Sequence, residues 1–594
     1  MTARRPAARD LASFARRYLP VLDWAPAYRR DDLTGDIIAG LIVTIMLVPQ
    51  SMAYAMLAGL PPEVGLYASI VPPILYAIFG SSKVLAVGPT AVMSLMTATT
   101  LGAIAEQGTE VYLASALTLA AMSGVILLSM GLVRLGFLMN FLSHPVISGF
   151  TSAAALIIGF SQLKHLLGMD IPRSHLINET IGHAIEHAAD ANLPTVIISV
   201  AAIGLLLLAR KPLSQLLTLV GTPAMLVTPL TKAGPLVIVV IGTLVVWGFN
   251  LNGPSGVQIV GAIPAGLPNL TLPPAEAEFL LDLLPGAFLI AIVGFIESVS
   301  VARALAAKKR QKIDANQELT ALGLANIGTA FTGGAPVTGG FARSVVNATG
   351  GANTALAGVI TALLIALTVA FFTPLFHYLP KAVLSSIIVV AIASLVDIKT
   401  LTHVWRYNKA DAASLIVTFF SVLTLGIEIG LIAGAGIAIA LYLWRTSRPH
   451  MAIVGRVGDT EHYRNIKRHA VRTWPSLLAI RVDENLYFAN TNFLEEQILG
   501  HVADRDEVEH LVLICSAVNF IDASALETLE RLVEELGESG VTVHLAEVKG
   551  PVMDALKKSH FLEQMGDGQI FLSTDDAMRA LTKGDGEVIG PLGV

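Results

Sequence analysis

Ala86-Val87-Gly88-Pro89-Thr90-Ala91 and Gly339-Gly340-Phe341-Ala342-Arg343-Ser344 are the two stretches on which the fold turns. Each is a glycine-punctuated break inside apolar sequence. Gly-Pro frees backbone groups, and proline suits the first turn of a helix. The first stretch therefore reads as an extended segment followed by a helix that starts midway through the apolar layer. The second reads likewise, its helical start running through Asn347. A helix start offers unpaired N–H groups and about half a positive charge. Two such starts facing each other make an anion site without dedicated basic side chains, and Arg343 adds a full charge beside one of them. The candidate binding residues are Gly88, Pro89, Thr90 and Ala91 from the first break, with Gly340, Phe341, Ala342, Arg343 and Ser344 from the second. Taken singly, either break is explained as well by glycines that let helices pack closely.

The pairing carries the reading further. Gln50-Ser51 lies in apolar sequence 39 residues before Pro89, and Glu297-Ser298 lies in apolar sequence 43 residues before Gly340. Paired broken segments at corresponding positions of two halves point to a transporter binding site. Glu297 closes the run Leu289-Ile290-Ala291-Ile292-Val293-Gly294-Phe295-Ile296. A charge at the centre of a membrane helix costs about 2.5–3.5 kcal/mol and usually marks a relay, an ion site or a paired charge. The structural alternative is a salt bridge with Arg343 that only stabilises the bundle. Beside an anion site an ionised carboxylate repels the substrate and a protonated one does not, so Glu297 is the candidate proton-coupling residue. Gln50 and Tyr54 fall one turn apart on one helix face. There Gln50 is placed to hydrogen-bond an oxyanion and Tyr54 to line its pocket; helix–helix hydrogen bonding is the competing role.

Composition sets the wider frame. Of the 594 residues 54% are hydrophobic and 14% charged, whereas a soluble domain is typically about a quarter charged. Apolar runs such as Ile37–Val48, Val111–Leu132, Val196–Ala209 and Leu283–Phe295 approach or reach the roughly 20 residues that span a bilayer. Basic clusters at Arg29–Arg30, Lys83, Arg134, Arg210–Lys211, Lys308–Arg310, Arg406–Lys409 and Arg445–Arg448 alternate with acidic or neutral mid-points. Positive residues favour the cytoplasmic side. The pattern predicts a polytopic α-helical membrane protein of about fourteen transmembrane segments, multi-pass in the inner (cytoplasmic) membrane, with both termini cytoplasmic. The net charge of −6 implies no nucleic-acid surface, and the single cysteine, Cys515, excludes a disulfide framework or a Cys-based metal site within the chain. The basic start, 1–30, lacks the apolar core and cleavage site of a signal peptide. No nucleophile–base set or metal-spaced cluster stands out, so neither an enzyme nor a cofactor is expected.

Hydropathy falls after Arg445. The expected divisions are an N-terminal segment 1–30, a transport domain 31–446, a linker 447–467, an α/β domain 468–583 and a tail 584–594. Within the α/β domain, Leu477–Val482 and Leu486–Ala489 read as a strand pair, His510–Cys515 and Val541–Ala546 as strands, and Thr491–Val502, Ala523–Leu536 and Pro551–Lys558 as helices. Asp522 is placed to cap the helix after it.

Several separated motifs resemble those of the SulP anion permeases, solute carrier family 26. They are Val48-Pro49-Gln50-Ser51-Met52-Ala53-Tyr54-Ala55, Pro62-Glu63-Val64-Gly65-Leu66-Tyr67-Ala68-Ser69, Gly80-Ser81-Ser82 with Val87-Gly88-Pro89, Ile263-Pro264-Ala265-Gly266-Leu267-Pro268, and Phe341-Ala342-Arg343-Ser344 with Val346-Asn347. The resemblance implies a seven-plus-seven inverted repeat divided into core and gate domains, substrate held between the starts of the third and tenth helices, a C-terminal STAS domain and a homodimer. It implies substrates among sulfate, bicarbonate, chloride and dicarboxylates. Val518-Asn519-Phe520-Ile521-Asp522-Ala523-Ser524 resembles the STAS loop. Ser524 stands near the place where the anti-sigma-factor antagonists carry a phosphorylated serine, which makes it the candidate regulatory residue and the tail a candidate contact for a regulatory protein. A sodium–bicarbonate branch of the family carries aspartate and threonine where this chain has Glu297 and Val301, so the resemblance favours proton over sodium coupling. The leading expectation is proton-coupled symport of sulfate or a dicarboxylate by alternating access. Sodium–bicarbonate symport, an anion exchanger or channel, and a sensor signalling through the tail are the rivals.

Overall fold

The structure, a computed structural model, describes residues 19–140, 143–169, 177–209, 211–219, 230–231, 233–274, 276–308, 311–393, 395–582 and 587–589. The chain divides into two compact units, Met1–Ala438 and Ile439–Val594. In the first unit one order of elements occurs twice. Its first pass is a long helix α1 (Arg30–Leu57), the helices α2 (Pro62–Tyr67) and α3 (Val71–Phe79), a two-residue strand β1 (Val87–Gly88), a short helix α4 (Ala91–Gly102) and a long helix α5 (Glu110–Leu132). After α6 (His144–Ser161), α7 (Leu193–Leu208) and α8 (Gly234–Gly248), the order returns. The second pass is the long helix α9 (Ala277–Lys308), α10 (Ala315–Phe331), strand β2 (Thr338–Gly339), short helix α11 (Phe341–Thr349) and α12 (Leu356–Phe371). Then follow α13 (Lys381–Ile392), α14 (Ile398–Tyr407), α15 (Lys409–Leu425) and α16 (Ile427–Thr446).

Two packing groups result. In one, α10 lies between α3 and α5, α12 lies on α1 and α3, and α9 lies on α5. The α5–α10 approach is close because Gly124 faces Gly323: a Cβ on Gly323 would stand 2.6 Å from Leu128 N and 2.9 Å from Gly124 O. In the other group α6 packs on α15, and α7 on α8 and α13. Leu193, Ile197 and Val200 of α7, and Leu363, Leu367 and Phe371 of α12, are exposed. Such apolar girdles belong against lipid rather than water. Among the described residues six helical spans are long and apolar enough to cross a bilayer, accompanied by five shorter apolar helices. The chain is a multi-pass membrane protein, and its described helices are consistent with the expected fourteen crossings. At 12 and 9 residues, α4 and α11 reach about 18 and 14 Å, about half of a 30 Å apolar layer. Each needs its extended segment to complete a crossing.

The buried ends of the first group are tied by carboxylates. Glu318 accepts from Tyr76 OH (2.7 Å), Ser81 N (2.9 Å) and Ser81 Oγ (2.7 Å). Asp36 accepts from Asn353 N (2.8 Å) and from Thr354 N (3.1 Å) and Oγ1 (2.6 Å).

The second unit is an α/β sandwich. Strands β3 (Met451–Arg456), β4 (Tyr463–Asn465), β5 (Val471–Thr473), β6 (Leu477–Val482), β7 (His510–Ile514), β8 (Thr542–Ala546), β9 (Ile570–Phe571) and β10 (Glu587–Ile589) form one sheet. Its order is β10-β5-β3-β6-β7-β8-β9, with β4 paired to β3. The ladders β6-β7-β8-β9 are parallel and β3 joins β6 antiparallel. Strand residues alternate between two cores. Leu478, Ile480, Leu511, Leu513, Val543 and Leu545 pack with Leu494 and Ile498 of helix α17 (Thr491–Ala503) and Leu529 and Leu532 of helix α18 (Ala523–Glu538). On the other face Ala479, Val512, Ile514 and Ala546 meet Ala577 and Met578 of helix α20 (Thr574–Leu581), which follows α19 (Gly550–Leu556).

Two expectations for this region change. Leu486–Ala489 is not a strand: it makes a single bridge, Leu486 with Ile521, and turns. The Asn490 side chain takes the ladder's place, accepting from Tyr487 N (3.0 Å) and donating to Asn485 O (2.8 Å). The interval 447–467 is not a free linker, because it holds β3 and β4, and Ala452 and Val454 are buried in the sheet's second core. Part of the tail also joins the sheet, as β10 against β5.

His544 of β8 is buried. Its Nδ1 accepts from Gln569 N (3.1 Å), so Nε2 carries the proton and faces His510 Nδ1 at 3.2 Å. Burial first, then His510, pushes this imidazole down to about 4. The unfolded chain takes up that proton below about 6.5. The stabilising contribution is therefore complete above that pH and lost as pH falls towards 4. Hydrogen exchange of full-length protein should show β7 and β8 amide protection falling as pH drops from about 6.5 towards 4. His544→Leu should be less protected at pH 7 but flatter across that window.

Candidate functional site

The two breaks meet. β1 and β2 pair antiparallel, Val87 opposite Gly339 and Gly88 opposite Thr338, and Gly340 N donates to Ala86 O at 3.1 Å. Antiparallel pairing sends α4 and α11 away from the crossing in opposite directions, with both N-termini turned towards it. The first N–H groups of each, Ala91 and Val92 in α4 and Phe341 and Ala342 in α11, have no carbonyl four residues back within their own helix. Both half-helices are packed on by α1 and by α9.

Polar side chains hold the crossing in its apolar surroundings. Ser298 Oγ accepts from Gly339 N (2.8 Å). The hydroxyls of Ser298 and Thr338 lie 2.6 Å apart and 2.7 and 2.6 Å from Gly294 O. Asn326 clamps Val337 through both backbone groups at 2.9 Å each, and Asn347 Nδ2 donates to Val84 O at 3.0 Å. Ser344 Oγ donates to Gly340 O (2.7 Å) and accepts from Ala86 N (2.9 Å). Its hydroxyl is thus occupied by the scaffold. Thr90 is the N-cap of α4, its side chain accepting from Met93 N at 3.4 Å.

Arg343 is 2% exposed. Its Nη1 donates to Pro89 O at 2.6 Å, which ties the second break to the first. Its Nη2 is buried without a partner, as is Oε2 of Glu297. Each feels the other's charge, yet no ion pair joins them, so the stabilising salt bridge that the sequence allowed is not formed. Tyr54 lies within the field of both. It lines a small cavity with Pro89, Ser94, Thr97, Ala335 and Pro336. Gln50 is buried one turn earlier on α1. Phe341 is 56% exposed at the start of α11, and Ala342 beside it is also exposed. The fold thus gathers Tyr54, Glu297 and the candidates of both breaks around one crossing, with Gln50 buried one turn from Tyr54 on α1. Ser524 belongs to the other unit, exposed in the first turn of α18, whose N-cap Asp522 accepts from Ala525 N at 2.8 Å. Ser298, Thr338, Asn326 and Asn347 escaped the sequence reading as clamps. Their signal is a hydroxyl or amide in apolar sequence within a few residues of a break.

Two halves whose broken helices meet inside an apolar bundle are an arrangement typical of multi-pass membrane transporters. Comparison with known proteins gives the family. Residues 33–418 match the model of the sulfate permease family, and residues 468–577 match that of the STAS domain. The chain is 37% identical over 572 residues to "Sulfate transporter 4.1, chloroplastic" of Arabidopsis thaliana, covering 94% of this chain and 82% of that one. It is 34% identical over 579 residues to "High affinity sulfate transporter 2" of Stylosanthes hamata, covering 94% and 85%. The structure of the murine Solute Carrier 26 family member A9 anion transporter in the inward-facing state superposes with a TM-score of 0.87 at 25% identity, covering 96% and 94%. The transmembrane domain of a cyanobacterium bicarbonate transporter, BicA, shares the fold at a TM-score of 0.57 and 24% identity, over 68% of this chain and 98% of that one. The chain belongs to the sulfate permease family, a family of membrane anion permeases rather than enzymes.

Gly340 lies directly against the Arg343 guanidinium. A Cβ there would stand 2.8 Å from Nη2 and 3.0 Å from Nε of Arg343. The guanidinium can swing away where backbone could not. Gly340→Ala should therefore melt within about 1 kcal/mol of the parent protein. Its anion affinity should fall about tenfold or more, since a charge-assisted hydrogen bond is worth about 1.5–3 kcal/mol. Thermal melting with and without anion measures both.

Proposed function

We propose that the chain is a secondary-active symporter that carries sulfate, or next a dicarboxylate, together with protons by alternating access. On this reading the anion sits between the N-termini of α4 and α11, receiving N–H groups from Ala91, Phe341 and Ala342. Thr90 contributes by capping α4, and Arg343 supplies positive potential. Gly88, Pro89 and Gly340 keep the backbone close, Ser344 holds the crossing, and Gln50 and Tyr54 close the pocket from α1. The observation that carries the reading is the buried, unpartnered Nη2 of Arg343 beside two helix starts. An unsatisfied buried donor is costly unless a ligand meets it.

Glu297 completes the mechanism. Its unpartnered Oε2 lies within reach of the Arg343 field. Ionised, it competes with the anion for the positive potential; protonated, it leaves that potential to the anion. Anion and proton then enter together, and the loaded site is close to neutral as it changes sides. Val301, one turn further along α9, is buried and apolar. Its side chain offers no oxygen to a sodium ion, which speaks against the sodium–bicarbonate alternative. The relatives named as sulfate transporters support sulfate as first choice. On the same reading the chain lies in the inner membrane with both termini cytoplasmic and works as a homodimer, and its STAS domain is regulatory, with exposed Ser524 the candidate for modification.

Glu297→Gln fixes a neutral side chain of the same shape. Uptake by proteoliposomes should continue but lose its acceleration at acid external pH and its response to a proton gradient. An unchanged pH profile in that variant would remove Glu297 from coupling.

A further inference from the structure

A cluster outside the transport machinery has the make-up of a metal site. The helix Ile177–Glu186 lies between α6 and α7 in the chain and ends in His183-Ala184-Ile185-Glu186, with His187 the next residue. His187 N donates to His183 O at 3.1 Å, which carries His187 over the face of the helix that His183 occupies, with Glu186 one step before it. One ligand atom from each of the three lies within 4.8 Å of the others. We propose that His183, Glu186 and His187 bind a first-row transition-metal ion, with Zn2+, Cu2+ and Ni2+ as the class.

The argument rests on three features. First, the donor set is two imidazoles and a carboxylate. Borderline-soft ions such as zinc favour this set, whereas calcium and magnesium favour oxygen alone. Second, one imidazole is already oriented. His187 Nδ1 stands 3.1 Å from His183 O. With its proton on Nδ1 donated to that carbonyl, His187 turns an unprotonated Nε2 outward, the tautomer a ligand needs. Third, His183 Nδ1 and Glu186 Oε2 are 4.0 Å apart, too far for a hydrogen bond. An ion about 2.1 Å from each would bridge that gap. Tetrahedral bonds of about 2.1 Å put ligand atoms about 3.4 Å apart, so the three side chains close in on the ion by rotation about their χ angles. Glu186 and His187 are exposed and His183 half-buried, so an ion can enter without opening the fold. Three protein ligands leave positions free for water or a small anion. An ion held here ties the last helical turn to the residue beyond it, in a segment whose charge pattern places it on the outer face of the membrane.

The test uses full-length protein in detergent, purified, freed of its tag and treated with chelator. Zn2+ is titrated against a chromophoric competitor, and Cu2+ is added at one equivalent for electron paramagnetic resonance. The variants are His183→Ala with His187→Ala, and Glu186→Gln. All three side chains are at least partly exposed, so the metal-free melting temperature should match the parent and confirm folding. The parent should bind one Zn2+ per chain more than the double variant, with Glu186→Gln weaker by about tenfold. Its Cu2+ spectrum should carry nitrogen superhyperfine structure that the double variant lacks. Equal stoichiometry, affinity and copper spectrum in parent and double variant would overturn the site and assign any metal to other groups of the chain. Glu186→Gln binding as tightly as the parent would remove the carboxylate and overturn the three-ligand arrangement.

Discussion

A peptide group inside a bilayer has no water to turn to, so breaking a helix there is tolerated only where other groups meet the freed backbone. This chain breaks two helices and answers both breaks with each other, through the β1–β2 pairing and the Gly340 to Ala86 hydrogen bond. What the strands leave over is taken by Ser298, Asn326, Asn347 and Ser344. The rest of the membrane unit follows from that requirement. α1 and α9 must flank the crossing, and α5 and α10 must approach through Gly124 and Gly323 to hold the frame around it.

The clamps leave a few polar groups unanswered, and these converge. Arg343 spends one N–H on Pro89 O and keeps Nη2 in reserve, while Glu297 keeps Oε2. A stability argument alone would pair these two side chains, because an uncompensated buried charge is among the most destabilising features a fold can carry. Keeping them apart in one field is understandable if a third charge, the anion, completes the set during transport. That is the physical content of the proposed proton–anion symport: a site whose charge balance closes only when it is loaded.

Much of this was legible in the sequence, because its signals are local. Gly88-Pro89 and Gly339-Gly340 announce the breaks, Glu297 stands out from its apolar run, and the matched spacings of the two halves pair them. In the α/β unit Asp522 was readable as a cap, since capping is set within three residues. What stayed hidden depends on contacts distant in sequence. Nothing near Asn326 says that it will clamp Val337, nor near Glu318 that Tyr76 and Ser81, some 240 residues away, will reach it. Leu486–Ala489 misled because its apolar residues resemble a strand, while Asn485 and Asn490 supply the hydrogen bonds that end one. The interval 447–467 misled in the opposite sense. Its charged residues mask a strand pair, β3 with β4, whose Ala452, Val454 and Tyr463 are buried in the second core.

The measurement that bears most directly on this account is radiolabelled sulfate uptake into proteoliposomes of the purified chain. It is made with an inward proton gradient, an inward sodium gradient and neither, with fumarate, succinate and bicarbonate in parallel. The account predicts saturable sulfate or dicarboxylate accumulation above equilibrium under the proton gradient alone. Uptake driven by sodium, or flux that never exceeds equilibrium under either gradient, would contradict it.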